Sequence, residues 1–382
     1  MQRRHHDLQC RHPVERCPRY RGRQHSVRNQ HHEPAMTHTD RVVQRRQRGF
    51  TLVELMISLL LGILVIGAAG SMFFSNRKVY GSTEAISRIQ ENQRSAYEML
   101  ARDIREAGGN PCTRNVVNML DTTKPGGSYY AGWQNGVSGA NNGGPNGSDS
   151  ITLSQATGTS IAVTKNETPS ANIEVTGTTG LAAGDILMVC NADVAAIFQA
   201  TALPSGTSIQ HNSGQGTPGN LAKPFQITQE AFDASVGGTN APGYCFLPET
   251  PKNSNCLNEP SKSPVQVVKP TAVRWFLAAN GRGGTSLYRQ ETSNGGATVG
   301  TSNEIAEGVT NMQITYKVGD AAAYVDASAG LDWGRVTAVH VNMVFRAAQG
   351  TLTKADTEGT DDGVITRALN DYILLRNHQD IQ

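Results

Sequence analysis

The chain has 382 residues with 34 basic and 32 acidic side chains, a formal net charge of +2, and only 6% aromatic residues. Residues 1–49 contain 12 arginines against four acids, so the remaining chain is net acidic, with 22 basic and 28 acidic side chains. No basic patch interleaved with aromatic residues follows, and we therefore expect no direct binding of nucleic acid. The low aromatic content predicts a modest hydrophobic core.

Residues 1–49 form a basic segment with no apolar periodicity, and we do not expect it to fold alone. Its cysteines and nearby histidines lack the tight pairs that structural zinc sites need; they are Cys10, His12, Cys17 and His25. We predict no metal site here.

The stretch Phe50 to Phe74 is apolar except for one acid, Glu54, and its 25 residues are long enough to cross a bilayer core of about 30 Å. The nine positions before it hold four basic residues, Arg41, Arg45, Arg46 and Arg48, and the nine positions after it hold two, Arg77 and Lys78. The positive-inside rule therefore places the start of the chain in the cytoplasm and sends everything after Phe74 across the membrane. A carboxylate in such a span costs about 2.5 to 3.5 kcal/mol, so a plain anchor does not explain it.

The heptapeptide Gly49 to Leu55, G-F-T-L-V-E-L, resembles the class III signal of type IV prepilins and type II secretion pseudopilins. The resemblance implies that a prepilin peptidase cuts between Gly49 and Phe50 and methylates the new terminus. It also implies that Glu54 neutralises the charged terminus of a neighbouring subunit. A leader starting at Met36 has the length typical of prepilins, which makes residues 1–35 an upstream extension or the product of a start codon set too early.

A secretory signal peptide is the rival interpretation of this segment. Its apolar core would run only about 7 to 15 residues and end in small residues, whereas this stretch is longer and contains Glu54. A single-span anchor without processing also stays open.

The apolar stretch continues without proline into an amphipathic segment, which predicts one helix over residues 50–108 ending at Gly108-Gly109. Residues 50–74 are its transmembrane or filament-core part. The second half places an apolar stripe against a globular head: Ile86, Ile89, Ala96, Leu100 and Ile104.

Residues 109–382 are rich in Gly, Ser, Thr and Asn with short apolar runs, which predicts a periplasmic, mainly antiparallel β head with long loops. The fold class is therefore α+β. Two β lobes that meet near residues 201–224 are one interpretation of the head. The predicted strands are Ser150–Leu153, Ser160–Val163, Asn172–Val175, Asp185–Cys190, Ala196–Ala200, Val265–Val268, Ala272–Ala278, Ser286–Arg289, Met312–Val318, Val336–Phe345 and Tyr372–Leu375.

Four cysteines follow the leader: Cys112, Cys190, Cys245 and Cys256. Export to an oxidising compartment makes an even count a disulfide framework with three possible connectivities. The pairing of Cys245 with Cys256 in a short loop is favoured, which leaves Cys112 to pair with Cys190. A metal or redox role is not favoured, because these four cysteines form no C-x-x-C motif.

The chain contains no nucleophile elbow, zincin helix, phosphate-binding loop or dinucleotide fingerprint, so we predict neither catalytic residues nor a cofactor. The three remaining histidines are widely separated; they are His211, His340 and His378. The acidic run from Asp356 to Asp362 could chelate calcium, but it lacks the alternating ligand pattern of known loops and a solvated loop is favoured.

The head is similar to the PilW-type minor pilins in three stretches: Gly184–Gln199, Ile305–Tyr316 and Leu374–Asn377. This resemblance implies a low-abundance subunit that helps prime pilus assembly in a tip complex with other minor pilins and the major pilin. It also implies an inner-membrane protein with a single span before assembly, then a place in the pilus at the cell surface, with indirect effects on twitching. The J-type pseudopilin of type II secretion and a membrane-anchored adhesin that never polymerises stay open as alternatives.

Overall fold

The computed structural model describes residues 49–166, 172–223, 228–235, 264–293, 296–347 and 364–378. The chain divides into two compact units, residues 1–64 and 65–382. The fold class predicted from the sequence is confirmed, because a long N-terminal helix is followed by a mainly antiparallel β domain. The helix α1 spans Leu52–Glu106, 55 residues.

The start of α1, in the first unit, is capped by Thr51. Its hydroxyl accepts a hydrogen bond from the Glu54 backbone N–H at 3.2 Å, and its carbonyl accepts one from the Leu55 N–H at 3.1 Å. A threonine followed three residues later by glutamate is the spacing of a capping box, which satisfies amide groups that have no partner inside the helix. The helix therefore begins directly after the signal-like Gly49-Phe50 step.

The second half of α1, in the second unit, carries the predicted apolar stripe. Its buried residues recur at helical spacing: Ala85, Ile89, Ala96, Leu100, Ala101 and Ile104. Ile86 is half-buried and packs against the same core. The amphipathic interpretation of this segment is thereby confirmed.

The helix ends where the glycine pair predicts. Gly108 has a φ of +70° and donates its N–H to the Ser154 carbonyl at 2.8 Å, while the Gly109 N–H returns to the Glu106 carbonyl at 3.0 Å. A side chain at position 108 would be strained by this φ and would meet the imidazole of His378 at 2.6 Å. The C-terminal segment therefore packs directly against the helix end.

The described part of the larger sheet has eleven strands. They are β1 (Val116–Asn118), β2 (Val137–Ala140), β3 (Ser150–Lys165), β4 (Ile173–Val175), β5 (Ile186–Cys190), β6 (Ala195–Gln199), β7 (Ala202–Ser205), β8 (Ser208–Gln210), β9 (Gln266–Ala279), β10 (Thr285–Ser293) and β11 (Thr298–Glu307). The main order is β1-β6-β5-β9-β3-β4-β8-β7, with β10 between β9 and β11 and β2 beside β3. The β1–β6 pair is parallel and the other pairs are antiparallel. A short helix, α2 (Gln229–Ala234), follows β8.

The smaller sheet contains the last strands of the described chain: β12 (Val309–Val318), β13 (Val325–Asp326), β14 (Val336–Arg346) and β15 (Thr366–Leu374). Their order is β13-β12-β14-β15, and all pairs are antiparallel. The division of the head into two lobes is not tested by this arrangement and stays a prediction.

Two pairs of predicted strands are single long strands in the structure. Ser150–Leu153 and Ser160–Val163 both lie in β3, and Val265–Val268 and Ala272–Ala278 both lie largely in β9. Pro270, between the latter two, breaks the sequence signal because proline cannot donate to a sheet ladder. Along the edge of β9 opposite β3, β5 pairs with β9 only up to Val268 and β10 pairs with it only from Val273. Pro270 lies between these two pairings and is therefore tolerated.

The main core lies between the second half of α1 and the two sheets. Trp275 of β9 is fully buried there, together with Leu100 and Ile104 of α1 and Val339 and Phe345 of β14. Two further clusters fill the larger sheet around Phe198 and Tyr130. Residues far apart in the chain therefore share one apolar core in the second unit.

Candidate functional site

The signal-like segment lies at the open beginning of α1. Gly49 and Phe50 precede the helix, are exposed, and Phe50 retains 82% of its accessible surface. A peptidase needs extended, accessible backbone on both sides of the bond it cuts. Gly49 and Phe50 are accessible and lie outside the helix, and cleavage between them stays a prediction.

The carboxylate of Glu54 makes no ion pair in the part of the chain that the structure describes. It is exposed on the first turn of the helix, in a shallow groove lined by Thr51, Ile57, Ser58 and Leu61. The nearby Ser58 hydroxyl donates to the Glu54 backbone carbonyl at 2.8 Å. The carboxylate is thus exposed in a groove lined by both apolar and hydroxyl side chains of its own helix.

The rest of the first helical stretch is apolar on every side. Its most apolar 18-residue window has a mean hydropathy of 2.5 and none of it is buried within the chain. Sixteen large apolar side chains from Phe50 to Phe74 are exposed, and Ile66 retains 74% of its surface. By length and composition this helix can cross a membrane, and in water so large an apolar surface would be unfavourable.

A second carboxylate of α1, Asp103, lies at the interface of helix and sheet in the second unit. Its oxygen accepts hydrogen bonds from the Trp275 indole N–H at 2.8 Å and from the Arg289 Nε–H at 2.8 Å. The side chains of Arg289 and Asp103 are only 19% and 12% exposed. Burial lowers the pKa of Arg289, but its hydrogen bonds to Asp103 and Glu291 outweigh this and raise the pKa overall. The guanidinium therefore stays charged.

The C-terminal residues close the other end of this interface. The Asn377 amide donates to the Ala107 carbonyl at 3.1 Å, and His378 makes a 2.8 Å hydrogen bond through Nδ1 with the Val336 carbonyl. Burial lowers the pKa of His378 more than this hydrogen bond raises it. A neutral imidazole with a protonated Nδ1 fits the contact, so His378 has a structural role.

The structure contains the Cys112–Cys190 disulfide that the sequence analysis favours, with 5.9 Å between the Cα atoms. The bond joins the segment after α1 to the last residue of β5, across a sequence separation of 78 residues. Cys245 and Cys256 lie outside the described residues, and their pairing stays a prediction.

The remaining candidate ligands are dispersed. Within the described ranges no three His, Cys, Asp or Glu side chains form a group that could hold a metal ion. His211 is buried beside Phe198, and His340 lies on the smaller sheet. The acidic run from Asp356 to Asp362 falls outside the described residues.

Sequence reasoning singled out Gly49, Phe50 and Glu54, whose roles stay predictions. It missed the contact of Asp103 with Trp275 and Arg289. One signal was available, because Asp103 lies between Leu100 and Ile104 on the apolar stripe of α1. A charge at a core-facing position indicates a buried partner. The identity of that partner, 172 residues away, has no local signal.

Comparison with known families gives two matches in different parts of the chain. Residues 44–70 match the prokaryotic N-terminal methylation motif, and residues 274–368 match the family described as Type IV Pilus-assembly protein W, or PilW. The second range includes the predicted resemblance at Ile305–Tyr316. The resemblances at Gly184–Gln199 and Leu374–Asn377 lie outside it and stay predictions.

Two further comparisons add little. A type IV-like pilin from Thermus thermophilus aligns over 76% of this chain and 97% of its own length, with 10% identity and a TM-score of 0.28. A TM-score this low carries no argument. The comparison with curated proteins found no match.

The two family matches correspond to the two features that the structure shows, namely the apolar helix with its signal-like start and the β domain. PilW proteins and methylated pilins are structural proteins, and a single apolar helix fits a membrane-anchored pilin. The resemblance predicted from the sequence is therefore confirmed: this chain is similar over its head segment to the PilW-type minor pilins of type IV pili, and it carries their N-terminal methylation motif.

Proposed function

We propose that this protein is a minor pilin that helps to initiate assembly of a type IV pilus, in a tip complex with other minor pilins and the major pilin. The observation that carries the proposal is the single unpaired carboxylate of Glu54 on an otherwise apolar, exposed helix, five residues after the signal-like Gly49. The PilW match in the head favours a pilus over a type II secretion pseudopilus.

Maturation follows from the same segment. Cleavage by a prepilin peptidase after Gly49 removes residues 1–49 and leaves Phe50 as an amino terminus, which the enzyme then methylates. That terminus carries a positive charge in an apolar environment, where an isolated charge is costly. Because Glu54 is exposed and has no ion-pair partner within the described residues, it is available to the terminus of a neighbouring subunit in lipid or in a filament.

In the proposed topology each part of the chain lies in a different compartment. The upstream arginines keep the leader in the cytoplasm, the stretch from Phe50 to Phe74 spans the inner membrane, and the head from residue 109 lies in the periplasm. A disulfide between Cys112 and Cys190 is compatible with an oxidising compartment. Incorporation into the fibre then moves the head to the cell surface.

The test compares Glu54→Gln with Glu91→Gln, a matched change of an exposed carboxylate on the same helix but outside the apolar stretch. Both variants should be cleaved normally, so that terminal sequencing of each mature chain begins at Phe50. In sheared filaments, Glu54→Gln should be depleted about tenfold relative to wild type, the equivalent of about 1.4 kcal/mol, and Glu91→Gln should not.

Two outcomes would contradict the proposal. A mature chain that still begins upstream of Phe50, in cells with an active prepilin peptidase, would favour a plain membrane anchor. Equal recovery of Glu54→Gln and wild type in filaments would show that the carboxylate has no role in assembly.

A further inference from the structure

The smaller sheet has one face against the core and one face turned away from it. Val339, Val341 and Met343 of β14 are buried, whereas the alternating His340 and Asn342 are half-buried on the opposite face. The register places Tyr372 of β15 directly opposite His340, and Asn370 opposite Asn342. With Tyr324, just before β13, these five residues form a surface that we call the aromatic-amide face.

Three aromatic rings of this face form a continuous platform. The rings of His340 and Tyr372 are stacked, with centroids 4.4 Å apart and 21° between their planes. The ring of Tyr324 packs edge-on against both, at 5.2 Å from Tyr372 and 6.0 Å from His340. Because β15 is the outermost strand, Tyr372 has one ring face against His340 and still exposes 58% of its surface.

The platform is held rigid by hydrogen bonds at both nitrogens of His340. Its Nδ1 lies 3.1 Å from the Thr315 hydroxyl, and its Nε2 contacts the Asn370 side-chain oxygen. Since an amide oxygen only accepts, Nε2 donates to Asn370, while Nδ1 and the Thr315 hydroxyl share a second hydrogen bond. These two contacts fix the orientation of the imidazole, which stacks on the ring of Tyr372. Such preorganisation reduces the entropy lost on binding a ligand.

Beside the rings lie amides that retain free hydrogen-bonding groups. The Asn342 side chain makes no hydrogen bond within the part of the chain that the structure describes. The Asn370 amide uses its oxygen for His340, which leaves its NH₂ group for solvent. One row of the sheet thus offers donors and an acceptor at the edge of an aromatic surface.

The charges around this face are balanced. Thr315 of β12 lies opposite His340 on one side and opposite Asp326 on the other. Lys317, two residues along β12, lies on the same face of the sheet. The buried side of β15 contains Asp371, which interacts with Tyr97 of α1. A polyanion would require a cluster of Lys or Arg, whereas here Lys317 shares the face with Asp326.

We propose that the aromatic-amide face binds a neutral oligosaccharide. The apolar C–H face of a pyranose ring packs flat on an exposed aromatic ring, and its hydroxyl groups both donate and accept hydrogen bonds, as the free amides require. A cross-strand aromatic pair also stabilises a sheet. Stability alone, however, does not require a ring that is more than half exposed or an unbonded amide beside it.

The test uses the full-length protein in detergent and three neutral probes: chitohexaose with N-acetyl groups, cellohexaose and maltohexaose. An oligothymidylate single strand is the charged comparison. Titration calorimetry should show saturable binding of at least one hexasaccharide with a Kd below about 10 mM and none of the oligothymidylate. Tyr372→Ala should weaken that binding at least about tenfold, because it removes the stacking surface. Tyr372→Phe should retain it.

Two controls separate binding from folding. Tyr80→Ala makes the same substitution at a tyrosine of α1 that is 72% exposed, and it should leave the Kd unchanged. Asn342→Ala keeps all three rings and should weaken binding through its lost hydrogen bonds.

The proposal is overturned if no hexasaccharide binds, or if Tyr372→Ala and Tyr80→Ala bind equally well. Tyr372-dependent binding of the oligothymidylate in place of sugar would identify the face as a nucleic-acid surface and would also overturn it. None of these results bears on cleavage at Gly49 or on the role of Glu54.

Discussion

Two carboxylates of the same helix have opposite environments. Asp103 is 12% exposed and accepts hydrogen bonds from Trp275 and Arg289 of the sheet. Glu54 is exposed in an apolar stretch and makes no ion pair among the described residues. The first has its partners inside the chain, whereas the function proposed above gives the second a partner outside it.

The difference separates two effects of one helix, on the stability of the subunit and on the proposed assembly. An acid that is already paired contributes to the stability of the subunit, and its loss should be measurable on the isolated protein. An acid without a partner contributes little to that stability beyond its place near the helix start, and its loss should be visible mainly when subunits meet. Unfolding and assembly assays should therefore separate the two positions.

The largest expected effect is that of Asp103→Ala. The substitution leaves the Arg289 guanidinium and the Trp275 N–H without their common acceptor in a largely buried site, at a cost of about 3 to 5 kcal/mol. The wild-type and variant proteins should be compared by urea unfolding in detergent, followed by tryptophan fluorescence.

Two further variants define the origin of this effect. Asp103→Asn keeps an acceptor for Trp275 but removes the charge that faces Arg289, so it should fall between wild type and alanine. Glu54→Ala should unfold with the wild-type midpoint. If Asp103→Ala also unfolded at that midpoint, the contrast between the two carboxylates would be lost.

A smaller effect is expected for the covalent link near the end of α1. Replacing Cys112 and Cys190 together by alanine removes a cross-link over 78 residues and should lower the free energy of unfolding by about 2 to 4 kcal/mol. Reductant should lower the midpoint of the wild type more than that of the double variant. Equal sensitivity of the two proteins would argue against this disulfide.

The helix and the strand-rich head could be predicted from the sequence because both have regular local patterns. The apolar run, the helical stripe from Ile86 to Ile104 and the alternation in β14 each require only a short window. The prediction missed six strands: β1, β2, β7, β8, β11 and β13. Of these, β11 and β13 are polar and largely exposed, as the stretch T-V-G-T-S-N-E of β11 illustrates. Their strand conformation comes from pairing with β10 and β12 and not from local propensity.

The candidate site was predictable in part for the same reason. Gly49, Phe50 and Glu54 form one continuous motif, so their relation is visible along the chain. The Asp103 contact and the stacking of His340 on Tyr372 join residues far apart in sequence, and their register depends on how the strands pair. Such contacts become visible only when the sheet order is known.

The smallest effect is expected for the ion pair next to Asp103. Arg102 Nε lies 3.1 Å from a carboxylate oxygen of Glu106, almost as close as the 2.8 Å between Arg289 and Asp103. The side chains of Arg102 and Glu106, however, are 75% and 46% exposed. Water screens the pair, and an acid in the last turn opposes the helix dipole. The double variant Arg102→Ala and Glu106→Ala should therefore change the free energy of unfolding by less than about 0.5 kcal/mol in the urea experiment used for Asp103→Ala. A loss as large as that of Asp103→Ala would mean that distance, and not burial, decides the energy of these neighbouring pairs.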